Sequence, residues 1–444
     1  MSTRTDTPEK QLSINEGSAG GEPQANRIGS AEKTPLSASS GGDAPDGGAA
    51  AWLVVFGTWC TSFCSFGWLN SIGVFQEYYQ NDLLRDYSPS TISWIPSLQI
   101  FLMMGLGPFV GTIYDHYGAR WLLLIGSFLH IFGVMMTSLG TEYYQILLAQ
   151  GLCSAIGVSA IFQPTVTCVA GWFTTRRGLA FGLLFTGSSI GGIIFPILVS
   201  HLIRTVGFPW AMRACAFLML FLLIIANLTV RPFHPPKPHK VTRRQLMKPL
   251  TEVPFVLVMA GFFLFAFGFF APINYLPAQA ISAGMSPSLA QYLIPILSAG
   301  SLFGRLGSGI LADRIGRYNV FIIVCYLSGL WILVLWLPSS PSPNASIIAF
   351  AVLFGFFSGA YASLITPLVM AISPMEELGF RTGIVMFVTA VGGLVTNPIN
   401  GAILGGGGGW TGVKIFSGVF ALAGSTFVLV ARIRQTGWRF FVKY

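Results

Sequence analysis

Two stretches of sequence decide the fold: GTIYDHYGAR at Gly111–Arg120 and GILADRIGR at Gly309–Arg317. Each follows a long apolar run, and the second repeats the first at a constant offset of 198 positions. The matching residues are Gly111, Asp115 and Gly118 in the first copy, and Gly309, Asp313 and Gly316 in the second. A glycine–aspartate–glycine pattern kept in register over this distance indicates that the chain contains two related halves.

A second repeat supports the same division. Gly182, Gly191 and Gly192 recur as Gly383, Gly392 and Gly393, each 201 positions later. Two related halves with a binding site between them are typical of secondary transporters, which move by rocking one half against the other. The repeats therefore predict transport of a small molecule.

Composition excludes a soluble protein. Of the 444 residues, 53% are hydrophobic and 9% are charged, whereas soluble domains have about 25% charged residues. From Ala50 onward the chain forms twelve apolar runs, each near the ~20 residues that a helix needs to cross a bilayer. The runs lie at approximately 51–75, 92–114, 121–140, 145–171, 178–203, 210–230, 254–276, 289–312, 318–337, 346–371, 380–404 and 412–433. Continuous runs indicate helices, because the strands of a membrane barrel would alternate.

We therefore predict an all-α membrane protein with twelve transmembrane helices in two pseudo-symmetric six-helix bundles. The expected organisation is a disordered cytoplasmic tail, an N-terminal bundle, a basic cytoplasmic linker, a C-terminal bundle and a short cytoplasmic tail. These parts span residues 1–45, 46–230, 231–251, 252–434 and 435–444, respectively.

The positions of the basic residues predict the orientation. Only Arg85, Arg204, Arg213 and Lys414 lie on or near the side opposite the termini, and Arg305 lies within an apolar run. The other lysines and arginines lie in the tails and in the loops on the terminal side, which by the positive-inside rule is cytoplasmic. The net charge of +9 is spread over these short segments and forms no continuous basic face, so we expect no nucleic-acid partner.

Nothing in the sequence favours an enzyme. The six cysteines all lie in apolar runs without a metal-ligand pattern, and we find no nucleophile–base–acid set. We therefore expect no cofactor and no metal. No Asp or Glu lies in a helix interior, so His130 in the third run is the one candidate for a proton-coupling group, and we interpret it as a hydrogen-bonded packing residue.

Two further motifs indicate a family. Asp46–Trp52 precedes the first helix, and Trp172–Gly182 opens the fifth with aromatic, double-arginine and small residues in a fixed order. Together with the repeated loops, they resemble the signatures of the major facilitator superfamily, and within it the monocarboxylate-transporter family and its fungal members. The resemblance covers about residues 46–435 and implies a major facilitator fold in a fungal plasma membrane.

The resemblance also implies site residues. Arg305 stands where the monocarboxylate family has an arginine that binds the substrate carboxylate. The family's aspartate four residues earlier is Ser301 here, and its lysine in the first helix falls on Asn70. Without those two groups, export of an organic acid or secondary metabolite is favoured over monocarboxylate uptake or exchange. A third possibility, a receptor that binds without transporting, is disfavoured by the short tail.

Charges inside a membrane are costly and mark substrate or ion pathways. We expect Arg305 to bind an anionic group, although a structural contact to a carbonyl or to Asp313 is the alternative. The expected polar contacts to substrate are Asn70, Gln163, Asn274 and Asn397.

The repeated loops are the expected cytoplasmic gate, formed by Gly111, Asp115, Gly118 and Arg120 with Gly309, Asp313, Gly316 and Arg317. Their carboxylates can cap a helix N-terminus or meet a cytoplasmic arginine. Asn344 begins a glycosylation sequon in a loop on the outer side. We expect the functional unit to be a monomer in the lipid bilayer.

Overall fold

The computed structural model describes residues 46–233, 247–338 and 344–437. The predicted tail 1–45, most of the linker 231–251 and the end of the chain from 438 lie outside these residues. Within them, twelve helices are long and apolar enough to cross a membrane, which confirms the predicted number. In chain order, α1–α12 are Gly48–Leu83, Ser90–Tyr117, Ala119–Thr137, Tyr143–Ala170, Arg177–Val206, Phe208–Thr229, Val253–Ser282, Pro287–Ile315, Arg317–Trp336, Asn344–Ala371, Met375–Gly405 and Gly409–Thr436.

The largest difference from the predicted runs is in α1. The run was expected to end near residue 75, but the helix continues through Gln76 and Glu77 to Leu83. A helix satisfies its own backbone hydrogen bonds and so can extend into water beyond the apolar span. Its last turn, Tyr79–Leu83, is a π-helix.

Single glycines connect neighbouring helices at the repeated loops. Gly118 lies between α2 and α3 with φ of 76°, and Gly316 lies between α8 and α9 with φ of 98°. This left-handed backbone is open to glycine without a steric cost. The second glycine of each repeat copy is therefore explained by a sharp reversal of the chain, and both reversals lie at the same end of the molecule.

We call this end the motif face. It contains the Gly118 and Gly316 turns and the first turns of α5 and α11, and the other end is the distal face. At the motif face, α2 packs against α11 and α5 packs against α8, so each contact joins one half of the chain to the other.

Glycines allow these helices to approach closely. A Cβ atom on Gly111 would lie 2.1 Å from the carbonyl oxygen of Gly379, and one on Gly178 would lie 2.2 Å from that of Gly309. Both distances are far below van der Waals contact, so the packing requires glycine at these positions. Close approach through small residues is the usual way in which membrane helices associate.

Candidate functional site

Two aspartates join the halves at the motif face. The Asp115 carboxylate of α2 accepts hydrogen bonds from the backbone N–H groups of Gly379 (3.0 Å) and Phe380 (2.8 Å) at the start of α11. The Asp313 carboxylate of α8 accepts hydrogen bonds from the backbone N–H groups of Gly178 (2.7 Å) and Leu179 (2.9 Å) at the start of α5.

A helix N-terminus carries partial positive charge and unpaired N–H groups, so each carboxylate stabilises the helix that it meets. Each aspartate thus caps a helix of the other half. Of the two roles expected from the sequence, helix capping and pairing with an arginine, this is the first. Arg120 is exposed, and Arg317 donates to the carbonyl oxygen of Thr174 at 3.3 Å. The motif face is closed by two symmetric contacts in this conformation.

An ion-pair cluster around one buried arginine supports the start of α11. The Arg381 side chain is 1% exposed and donates to both carboxylate oxygens of Glu252, at 2.6 and 2.9 Å, and to Glu377 at 2.9 Å. The hydrogen bonds from Arg381 outweigh partial burial and lower the pKa of Glu252 below its ordinary value. Glu252 directly precedes α7, so this cluster ties the beginning of the second half to the helix that Asp115 caps.

The two motifs that indicated the family contact each other. The Asp46 carboxylate accepts hydrogen bonds from the hydroxyl and N–H groups of Thr174 and from the N–H group of Thr175. The Trp52 ring packs against the Phe173 ring with centroids 5.2 Å apart. Partial burial opposes ionisation of Asp46, but the hydrogen bonds from Thr174 and Thr175 outweigh it and lower its pKa to about 2. Asp46 therefore holds the start of α1 to the start of α5.

Arg305 lies on α8 between the halves, deeper than the motif face. Its Nη1 group donates to the carbonyl oxygen of Phe185 and to the Ser188 hydroxyl, both on α5, and its guanidinium lies 5.9 Å from the centre of the Phe185 ring. Its Nε atom is buried and has no hydrogen-bond partner within residues 46–233, 247–338 and 344–437. Among the described residues, no carboxylate forms an ion pair with Arg305. This side chain therefore carries a charge across the interface between the halves with neutral acceptors only.

The four predicted polar contacts lie in three places. Gln163 of α4 is buried and donates to the carbonyl oxygen of Gly379 at 3.0 Å, within the closed motif face. Asn70 of α1 donates to the carbonyl oxygen of Phe66 at 2.8 Å. Asn70 also lies beside Gly192 of α5. A Cβ atom added to Gly192 would be 2.7 Å from the Asn70 amide nitrogen and 2.8 Å from the Ser298 hydroxyl of α8.

Asn274 of α7 and Asn397 of α11 lie toward the distal face. The Asn274 amide donates to the Asn397 amide oxygen at 2.9 Å, and the Tyr275 hydroxyl donates to the Asn397 carbonyl at 3.0 Å. Asn274 is exposed. The structure thus joins Asn274 to Asn397 directly, and it gives neither of them a hydrogen bond to Arg305, Asn70 or Gln163.

Three contributing residues were not identified from the sequence. Ser188 has no distinguishing pattern among many serines and becomes visible only through Arg305. Glu252 could have been found, because a carboxylate directly before α7 parallels Asp46 before α1, whereas a basic residue at the position of Arg381 is ordinary. The predicted packing role of His130 agrees with its hydrogen bonds to the Ser154 hydroxyl at 2.9 Å and the Cys64 carbonyl at 3.1 Å.

Comparison with known proteins agrees with this architecture. A family model described as Major Facilitator Superfamily matches residues 54–351 and 280–439. The chain is 54% identical to the MFS transporter asaE of Aspergillus flavus over 93% of each chain. It is 50% identical to the fujikurins efflux protein of Gibberella fujikuroi, over 88% of this chain and 84% of that one. It is 39% identical to the aspyridones efflux protein apdF of Emericella nidulans, over 88% of this chain and 79% of that one.

A solved structure shows the same fold. The crystal structure of the transporter FucP in the outward conformation aligns with a TM-score of 0.66 at 13% identity, over 86% of this chain and 99% of that one.

Proposed function

This chain belongs to the Major Facilitator Superfamily, and from that premise we propose that it exports an organic acid or a secondary metabolite by alternating access. The relatives named as efflux proteins at 50% and 39% identity support export. The observation that carries the anionic part of the proposal is Arg305, a charge between the halves without a carboxylate partner among the described residues.

Alternating access requires contacts that can break and re-form. The contacts at the motif face are hydrogen bonds of Asp115 and Asp313 to backbone N–H groups, together with glycine packing. They can separate without breaking a covalent bond or unfolding a helix. We propose that residues 46–230 and 252–434 move as two bundles, that the repeated loops are the cytoplasmic gate, and that substrate binds between the bundles.

A charge held between packed helices is unfavourable unless an opposite charge compensates it. An acid group on the substrate would provide that partner for Arg305. Asn70 and the Asn274–Asn397 pair would supply polar contacts nearer the distal face. Gln163 is held by Gly379 while the motif face is closed, so it would become available to substrate when the bundles separate there.

A second candidate, monocarboxylate uptake or exchange, is favoured by the contact between the two family motifs. The Asp46 hydrogen bonds to Thr174 and Thr175 provide a reason why these motifs occur together, and they support placing the chain in the monocarboxylate-transporter-like branch. Ser301 and Asn70, which replace charged groups of that branch, favour a larger cargo than lactate.

The proposed location is the plasma membrane of a fungal cell, with both termini in the cytoplasm and a monomer as the functional unit. The excess of lysine and arginine on the terminal side supports this orientation. Asn344, the exposed first residue of α10, would then face the outside and carry a glycan.

The experiment is a transport assay in cells that express the chain. Uptake and efflux of labelled lactate, pyruvate and a panel of aromatic carboxylic acids are compared between the wild-type protein and Arg305→Ala. The matched control is Arg314→Ala, because Arg314 lies on the same helix but is exposed. We expect efflux of the larger acids, lost in Arg305→Ala and kept in Arg314→Ala. Equal transport by all three proteins would disprove anion recognition by Arg305.

A further inference from the structure

Arg305 and two acceptors on α5 form one hydrogen-bonded group. The Nη1 atom of Arg305 contacts both the Ser188 hydroxyl and the Phe185 carbonyl oxygen, and the Ser188 hydroxyl lies 3.1 Å from that same carbonyl. Ser188 is 2% exposed. The three groups lie against one another inside the interface, and they hold α8 of one half to α5 of the other.

Both acceptors are neutral, so a carboxylate could replace them as the hydrogen-bond partner of Arg305. An arginine donates shorter and roughly twofold stronger hydrogen bonds to a carboxylate than to a neutral oxygen, and it prefers to bind a carboxylate through two N–H groups. In the present conformation Nη1 is occupied by α5, and the Nε group is buried without a partner in the part of the chain that the structure describes. Separation of α5 from α8 would free Nη1 and let the whole guanidinium face a substrate.

From this geometry we infer that Ser188 and the Phe185 carbonyl compete with the substrate's acid group for Arg305. The state closed at the motif face then binds the acid group less tightly than the state open there. This inference rests on the proposed function and adds a release step to it. An exporter would take up the acid on the motif-face side and lose it as α5 reclaims Arg305.

Ser188 acts here as a positioning residue, and its neighbour is a matched control. The Ser189 hydroxyl also crosses from α5 to α8, donating to the Ser301 hydroxyl at 3.2 Å. It has no hydrogen bond to Arg305. Ser188→Ala and Ser189→Ala therefore each remove one buried hydroxyl at the same interface, but only the first weakens the hold on Arg305.

The test measures opening of the motif face by hydrogen–deuterium exchange of the purified full-length protein, in peptides from the first turns of α5 and α11. Without ligand, Ser188→Ala should increase opening by roughly tenfold, the effect of losing one hydrogen bond to a charged group, while Ser189→Ala should change it much less. Benzoate, the probe anion, should increase exchange in the wild-type protein and have a smaller effect in Ser188→Ala.

Equal exchange in the two serine variants would overturn the inference, and so would protection of the motif face by benzoate. The ligand-free comparison tests the hold of α5 on Arg305 without any transport. The proposed function fails in a different assay, if Arg305→Ala still carries acids in cells.

Discussion

Asp115 on α2 reaches the backbone of Gly379 on α11, with 3.0 Å between its carboxylate oxygen and the amide nitrogen. The two residues are 264 positions apart in the chain, so this hydrogen bond exists only while the halves meet at the motif face. Its pseudo-symmetric counterpart joins Asp313 to Gly178. Replacing either carboxylate should therefore change the balance between conformations more than the folding of either half.

We predict that Asp115→Asn opens the motif face. The amide keeps the shape of the side chain but loses the charge that meets the helix N-terminus, a loss of ~1–3 kcal/mol. Hydrogen–deuterium exchange at the start of α11 should increase, and the melting temperature should change little. Asp82→Asn is the control, because Asp82 is exposed near the distal end of α1. An unchanged exchange rate in Asp115→Asn would show that the carboxylate does not hold the closed state.

Gly111→Ala should prevent closure of the motif face. The added Cβ would lie 2.1 Å from the Gly379 carbonyl oxygen, and a backbone atom cannot move aside without displacing α11. We expect transport to fall at least tenfold while the protein still reaches the membrane. Gly401→Ala on α11 is the matched control, because a Cβ there meets no atom within 4 Å. Similar transport by both variants would contradict the packing argument.

The Asp46 contact predicts a pH dependence of stability. Its pKa falls from 3.8 in the unfolded chain to about 2 in the folded protein. The contact therefore contributes fully above the unfolded pKa and is lost as pH falls toward about 2. Asp46→Asn should lower the melting temperature in detergent at pH 7, and the difference from wild type should narrow below pH of about 4. A difference that stays constant from pH 7 to pH 3 would assign the effect to shape and not to charge.

Asn344 tests the orientation. In cells with a secretory pathway, Asn344→Gln should remove a glycan that an endoglycosidase removes from the wild-type protein, seen as a shift in electrophoretic mobility. Asn227→Gln is the control, because the second sequon, Asn227–Leu228–Thr229, lies inside α6 and should be inert. If the endoglycosidase causes no shift in the wild-type protein, Asn344 is not glycosylated. If Asn227→Gln loses the glycan, the predicted topology is contradicted.

The number of helices and the two related halves could be predicted, because hydropathy and the repeated loops are local signals. The repeat could also single out the glycines at 118 and 316, and the structure adds their left-handed backbone. Arg305 was predicted as a site residue because a charge within an apolar run is conspicuous. Its partners could not be predicted, since a backbone carbonyl and a serine 117 positions away leave no trace in composition or spacing.

The Arg381–Glu252 pair shows a different limit. Arg381 was assigned to a cytoplasmic loop, where a basic residue is ordinary, yet its side chain is buried in an ion-pair cluster. In the sequence, the beginnings of α7 and α11 lie more than a hundred positions apart. Only the packing of the second half brings them together.

The one-residue turns between α2 and α3 and between α8 and α9 restrict protein engineering. Gly118 and Gly316 are each the whole connection between two helices. A fluorescent domain or epitope inserted at either turn would therefore have to pull two membrane-spanning segments apart. The signal of a reporter placed there would reflect the structural change caused by the insertion itself. Deletion of either glycine would also shift every following side chain of α3 or α9 by about 100° around the helix axis, which would turn part of the buried surface toward lipid along the whole span.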